Sequence, residues 1–187
     1  MVKKFLIIMK AYFGFAILLV CCATAKREKA ISSVETLQAE MIGHRIDELK
    51  EIDFYFEGAI LLVKDTTLED QRESWKGLNY YYKGDLFCIA ETSWNNLETI
   101  TRISVKSHLV KTKHGLGVGE NFESLRPHII FESSKDFPDG YIAFKDSSDS
   151  RIIYIMNTEQ HPQLWKEAWM IDKIPSSLQV QDVIIRQ

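Results

Sequence analysis

Apolar and polar positions alternate in short runs along most of this chain, and each run predicts a strand. Phe54-Tyr55-Phe56, Ala59 to Val63, Leu78 to Tyr82, Ile129 to Phe131, Tyr141 to Phe144 and Arg151 to Met156 are such runs. Two longer stretches, LETITRISV from Leu97 and LQVQDVII from Leu178, are rich in the β-branched residues that strands favour. Helical spacing is rarer. Ile46 and Leu49 stand three apart, as do Phe122 and Leu125, so each pair can face one way from a short helix onto a sheet. Pro127 ends the second helix, because proline has no amide hydrogen and disfavours helix at the residue before it.

The two helical pairs belong to a longer self-similarity. Val110 to Arg126 reads VKTKHGLGVGENFESLR, and Val34 to Lys50 reads VETLQAEMIGHRIDELK. Without a gap, Val34 matches Val110, Thr36 matches Thr112, Gly43 matches Gly119 and Leu49 matches Leu125. In each copy an extended segment is expected to lead into the glycine and a short helix to follow it. After an insertion the match resumes: Val63-Lys64-Asp65 falls on Phe144-Lys145-Asp146, Ile89-Ala90-Glu91 on Met170-Ile171-Asp172, and Leu97 and Ile103 on Leu178 and Ile184. Self-similarity at a fixed spacing defines a structural unit. The expected fold is α+β: two tandem units, about 34–105 and 110–187, each one short helix plus about four antiparallel strands in a shared β-rich body. Ile103 to Thr112 would be a strand that closes the first unit and leads into the second.

The stretch GLGVGENFESL and its fainter copy at Ala39 to Leu49 carry a resemblance to a known kind of protein. A glycine opening a short helix before antiparallel strands, in tandem, looks like β-lactamase inhibitor protein and the small outer-membrane assembly lipoproteins. Those families have a longer helical part per unit than this chain supplies. The resemblance implies a non-catalytic, partner-binding protein of the cell envelope.

The start of the chain points the same way. Lys3, Lys4 and Lys10 form a basic region, Ala11 to Cys22 is an uncharged apolar run, and Ala23-Thr24-Ala25 offers small residues before Lys26. That is the layout of a secretory signal peptide over residues 1–25, with the mature domain at 26–187. Lys10 leaves the uncharged run shorter than the ~20 residues of a spanning helix. Leu19-Val20-Cys21-Cys22 also resembles a bacterial lipobox, with Cys22 as candidate lipidation site, although Cys21 stands where Gly, Ala or Ser is usual. The expected location is therefore exported, periplasmic or extracellular, with outer-membrane anchoring through Cys22 as the variant. Any membrane association would be through that lipid alone.

Composition narrows the chemistry. The net charge is −3, and no basic block, zinc spacing or basic stripe with interleaved aromatics suggests nucleic acid. Cys88 is the one cysteine outside the targeting segment and cannot form an internal disulfide; in the run LFCIAE it reads as a small buried hydrophobe. Gly115-x-Gly117-x-Gly119 has neither Rossmann spacing nor a Walker lysine, and only Gly119 has a counterpart in the other copy, so its job is conformational. His108 and His114 would lie roughly 20 Å apart along an extended chain, too far to share a metal. Asp136, Asp139, Asp146 and Asp149 sit in FPDG and KDSSDS, which read as turns rather than calcium loops. Glu91, Asp172 and Glu98 have no spacing that pairs them, and no Gly-x-Ser-x-Gly elbow occurs.

Aromatic residues carry the remaining signal. Trp75, Tyr80, Tyr81, Tyr82, Trp94, Trp165 and Trp169 are expected in the core, whereas exposed members would form a sugar or peptide platform. The candidate partner surface is thus His114, Gly117, Gly119, Trp94, Trp165 and Trp169, and the expected partner is an envelope protein or a glycan. No catalytic residue, cofactor or metal is expected. The alternative is a small hydrolase of cell-wall or glycan material, whose sign would be a pocket joining Trp94 or Trp169 to two close carboxylates.

Overall fold

The computed structural model describes residues 27–70, 72–131, 140–161, 164 and 171–187. The targeting segment with Cys22, the FPDG turn with Asp136 and Asp139, and both Trp165 and Trp169 lie outside the described residues. Within them the fold is α+β, mostly sheet with a few short helices.

Eight antiparallel strands form the main sheet. They are β4 (Leu62–Asp70), β5 (Glu73–Tyr82), β6 (Asp85–Glu91), β7 (Arg102–Val105), β8 (Ile129–Phe131), β9 (Tyr141–Asp146), β10 (Ile152–Asn157) and β11 (Val180–Arg186). Their order across the sheet is β4-β5-β6-β7-β11-β10-β9-β8, so two meanders meet at the β7–β11 pair in its middle. A smaller sheet holds β1 (Arg27–Ile31), β2 (Ile52–Phe56) and β3 (Ala59–Ile60). β1 and β2 run parallel, which requires a crossover, and the helices α1 (Val34–Met41) and α2 (Ile46–Lys50) supply it. A last helix, α3 (Phe122–Leu125), precedes β8.

Period-2 alternation decides what each strand buries. The cross-strand row Leu78, Ala90, Ile103 and Ile185 is buried, and the next row, Gly77, Glu91, Arg102 and Arg186, points to the opposite face. The helices share the first face: Val34, Leu37, Met41, Ile46, Leu49, Phe122 and Leu125 all belong to one core with the sheet. Phe54 of β2 meets Tyr80 edge-on at 5.6 Å, and Phe56 meets Tyr82 at 5.1 Å, which fastens the small sheet to the large one. Two-residue turns at Glu57-Gly58 and Lys83-Gly84, with φ positive at both positions of each, close the β2–β3 and β5–β6 hairpins.

The helix-opening glycines have matching surroundings. Gly43 and Gly119 have φ of 82° and 85°. Three residues on, the amides of Ile46 and Phe122 donate to the carbonyls of Glu98 and Leu178, at 2.8 and 2.7 Å. In return Ile100 donates to the His44 carbonyl at 2.9 Å and Val180 to that of Glu120 at 2.8 Å. Asn121 caps α3 by accepting from the Ser124 amide at 3.0 Å.

Several expectations need correction. Val34 to Met41 is helical, not extended: Val34, Leu37, Gln38 and Met41 are buried at helical spacing, and Ser33 caps the first turn. The matched Val110 to Val118 forms instead a tight hairpin, with Lys111 bridged to Gly117, so the correspondence begins at the glycines. Ala59 to Val63 breaks at buried Leu61. The strand expected over Ile103 to Thr112 stops at Val105. Ile171–Lys173 is a 3-10 turn, not a counterpart of the Ile89–Glu91 strand. β4 lies at the sheet edge whereas β9 is interior, so Val63–Asp65 and Phe144–Asp146 do not correspond either.

Candidate functional site

The side of the main sheet away from the core carries a polar network built on Glu91. β5, β6 and β7 present Trp75, Glu91 and Arg102 to this side, with Glu91 directly opposite Arg102. Glu91 is only 1% exposed, and a carboxylate so placed must be fully engaged. One oxygen accepts from the Ser104 hydroxyl at 2.7 Å; the other accepts from the Trp75 indole N–H at 3.1 Å and from the Arg102 guanidinium. Arg102 also lies 5.8 Å from the centre of the Trp75 ring, a cation–π contact. Trp75 is thereby fixed at its edge and on its face.

Beside this floor the chain makes a tight turn over Ser93 to Asn96, each of the two ends donating its amide to the other's carbonyl at 3.1 and 3.0 Å. Thr92 fastens the turn to β5: its hydroxyl accepts from the Lys76 amide at 3.1 Å and donates to the Lys76 carbonyl at 3.0 Å. Trp94 stands on this turn and is 59% exposed. Core burial, expected for Trp94, does not occur, because a two-residue turn leaves no neighbouring layer to cover it. Tyr80 and Tyr82 are buried as expected, and Tyr81 between them is half-buried on the other face.

Trp94, Trp75 and Arg102 bound an open cleft of about 460 Å³, completed by Asp70 and Glu73 at the end of the β4–β5 hairpin and by Arg186 of β11. That volume falls among ordinary small-ligand sites, which run from about 300 to 1,000 Å³. Two carboxylates and two guanidinium groups therefore share its wall. Sequence reasoning found Trp94 and named Glu91 only as an unpaired carboxylate. The signal it lacked is the register that sets Arg102, eleven positions on, beside Glu91.

The other described members of the expected surface, His114, Gly117 and Gly119, lie elsewhere. His114 is exposed in a three-residue loop closed by Gly115, its ring stacked on His128 at 4.7 Å and its Nε2 3.3 Å from the Ser148 hydroxyl. Gly117 is paired to Lys111, and the Gly119 amide is given to the Val180 carbonyl at 2.9 Å. None of the three borders the cleft; they stand in the hairpin and turn that lead into α3.

Near His114 lies a second buried carboxylate, Asp146. It accepts from the Ser148 hydroxyl at 2.6 Å, from the amides of Ser148 and Asp149 at 2.8 and 3.2 Å, and from the Tyr154 hydroxyl at 2.7 Å. Burial by itself would raise its pKa, but these donors outweigh burial and hold the carboxyl below the usual range. The Ser148 hydroxyl is spent on Asp146, so Ser148 and His114 are not a nucleophile and its base. Asp146 and Asp149 behave as the turn residues their sequence suggested.

Other candidates are likewise occupied. Glu98 pairs with Arg45 at 3.2 Å, and Asp172 with Arg126, so neither converges on Glu91. Cys88 is fully buried, and burial pushes its thiol well up, away from reactivity. Among the described residues no three His, Cys, Asp or Glu groups stand together as metal ligands, and no helix is long and apolar enough to cross a membrane.

No family model matches the chain, and no curated protein matches it. Among solved structures it is similar to the uncharacterized protein yfeY from Escherichia coli, at 14% identity over 67% of this chain and 82% of that one, with a TM-score of 0.45. A likeness this distant transfers no residue role.

Proposed function

We propose that this protein is an exported ligand-binding module of a bacterial-type cell envelope, without a catalytic centre, assembled from two related units. The two-unit reading is supported by the reciprocal backbone bonds around Gly43 and Gly119 and by the mirrored order of the two meanders. Export is supported by the sequence of residues 1–25. The binding reading rests on one observation: exposed Trp94 overhangs a floor whose carboxylate, Glu91, already accepts three hydrogen bonds. With three of its roughly four acceptor sites filled and the residue only 1% exposed, Glu91 braces the floor rather than reaching a ligand as a general base.

One feature favours the hydrolase alternative. Asp70 and Glu73 are cross-strand partners beside Trp94, so the cleft does join an aromatic to two carboxylates. Both are exposed, however, and lack the burial that sets a general acid apart from its partner.

Hydrogen exchange of the purified mature protein, with and without envelope extract, tests the binding reading. Protection is expected over Thr92 to Arg102. Unchanged exchange there would overturn it, and Trp94-dependent cleavage of cell-wall material would establish the hydrolase instead.

A further inference from the structure

The wall of the cleft carries more information than its volume. Resting on the reading of this cleft as a binding site, we propose that its occupant is a neutral saccharide, one ring of which stacks on Trp94. The chemistry of the lining carries the choice. An exposed indole offers a broad apolar face, and the C–H face of a pyranose ring is the common ligand surface that is apolar and surrounded by hydroxyls. The carboxylates of Asp70 and Glu73 are hydrogen-bond acceptors, and the guanidinium groups of Arg102 and Arg186 are donors. A ligand satisfying both walls must donate on one side and accept on the other, and a hydroxyl does both.

Groups of both signs line the cleft, which disfavours a strongly charged ligand of either sign. An anionic ligand drawn to the guanidinium groups meets Asp70 and Glu73, and a cationic one meets Arg102 and Arg186. Arg102 is held at its base by Glu91, so its remaining N–H groups are directed donors. Because Trp75 is pinned by Glu91 and Arg102, and the backbone of the turn that carries Trp94 is pinned through Thr92, the floor and the base of the aromatic wall are placed before a ligand arrives. That arrangement reduces the ordering cost of binding.

The test is a tryptophan-fluorescence titration of the purified mature chain. The probes are short cello-, malto- and chitooligosaccharides, oligogalacturonates as acidic saccharides, and a set of uncharged short peptides. A neutral oligosaccharide is expected to change the emission. Trp94→Ala should weaken its binding about tenfold or more, as for a central aromatic anchor, and Trp94→Phe should retain most of it. Glu73→Gln, which replaces an exposed acceptor without touching the Glu91 network, should weaken neutral saccharides and not strengthen acidic ones. Trp94-dependent binding of oligogalacturonates or peptides alone would overturn the neutral-saccharide class and leave the cleft as a binding site. No Trp94-dependent response to any probe or to envelope extract would overturn both.

Discussion

Gly117 and Val110 lie so close that a Cβ on Gly117 would stand 2.6 Å from the Val110 carbonyl oxygen. The sequence alone placed this glycine in the candidate partner surface, without a counterpart in the other copy. It is instead the point at which the hairpin before α3 closes. Gly117→Ala is therefore expected to lower the melting temperature clearly, since the obstructing atom is backbone and cannot rotate away. A melting curve equal to wild type would show that the hairpin can open without loss.

Gly119 and Gly43 depend on glycine for a different reason. A Cβ on Gly43 would meet nothing within 4 Å and one on Gly119 only the His108 Cβ at 4.0 Å, but φ is positive at both. Valine at either site should cost about 1–2 kcal/mol through backbone strain. Urea denaturation of Gly43→Val and Gly119→Val should give similar losses, and a loss confined to one of them would count against equivalent turns.

Leu125 and Leu49 are fully buried beneath their helices, whereas Glu48 and Ser124 are exposed. Leu125→Ala and Leu49→Ala should each destabilise by roughly 2–5 kcal/mol, and Glu48→Ala and Ser124→Ala by well under about 1 kcal/mol. Denaturant midpoints compare the four directly.

Asp146 makes stability fall in acid. Its folded pKa is depressed, so the stabilisation is present above the unfolded value of about 3.9 and is lost as pH falls through the folded one. Asp149, held down by its hydrogen bonds from Arg151, adds to the same window. Asp146→Asn should lose about 1–3 kcal/mol at neutral pH and show a shallower decline below about pH 4. A variant whose melting temperature falls with acid as steeply as wild type would assign that decline to other groups.

The reading of export has its own measurement. Intact mass of the protein recovered from the envelope should correspond to a chain beginning at Lys26. An acylated start at Cys22 would identify the lipoprotein form, and a chain retaining Met1 would exclude both.

What was legible in the sequence follows from the range of the interactions involved. Runs such as Tyr80 to Tyr82 and Val183 to Ile185 declare a strand locally, because alternation across a half-buried sheet is written into neighbouring residues. The pairs Ile46/Leu49 and Phe122/Leu125 declared short helices in the same way. Helix α1 was legible too, in Val34, Leu37 and Met41, but aligning it with Val110 to Val118 imposed an extended reading on it. Glu91 illustrates what stays hidden. At the end of LFCIAE it looks like the polar limit of an apolar run; only register makes it the floor of a cleft. Exposure of Trp94 was equally invisible, since nothing in its own composition distinguishes a turn tip from a core position.

The pairing of β7 with β11 has a consequence for how the molecule comes into being. β11 is synthesised after every other described strand, yet it occupies the middle of the sheet. While the chain is still emerging, β7 and β10 each present an unpaired edge to solvent, the kind of edge that other chains can join. Between the synthesis of β10 and that of β11 the nascent chain thus holds two unjoined halves. The main sheet closes only when β11 pairs with both β7 and β10.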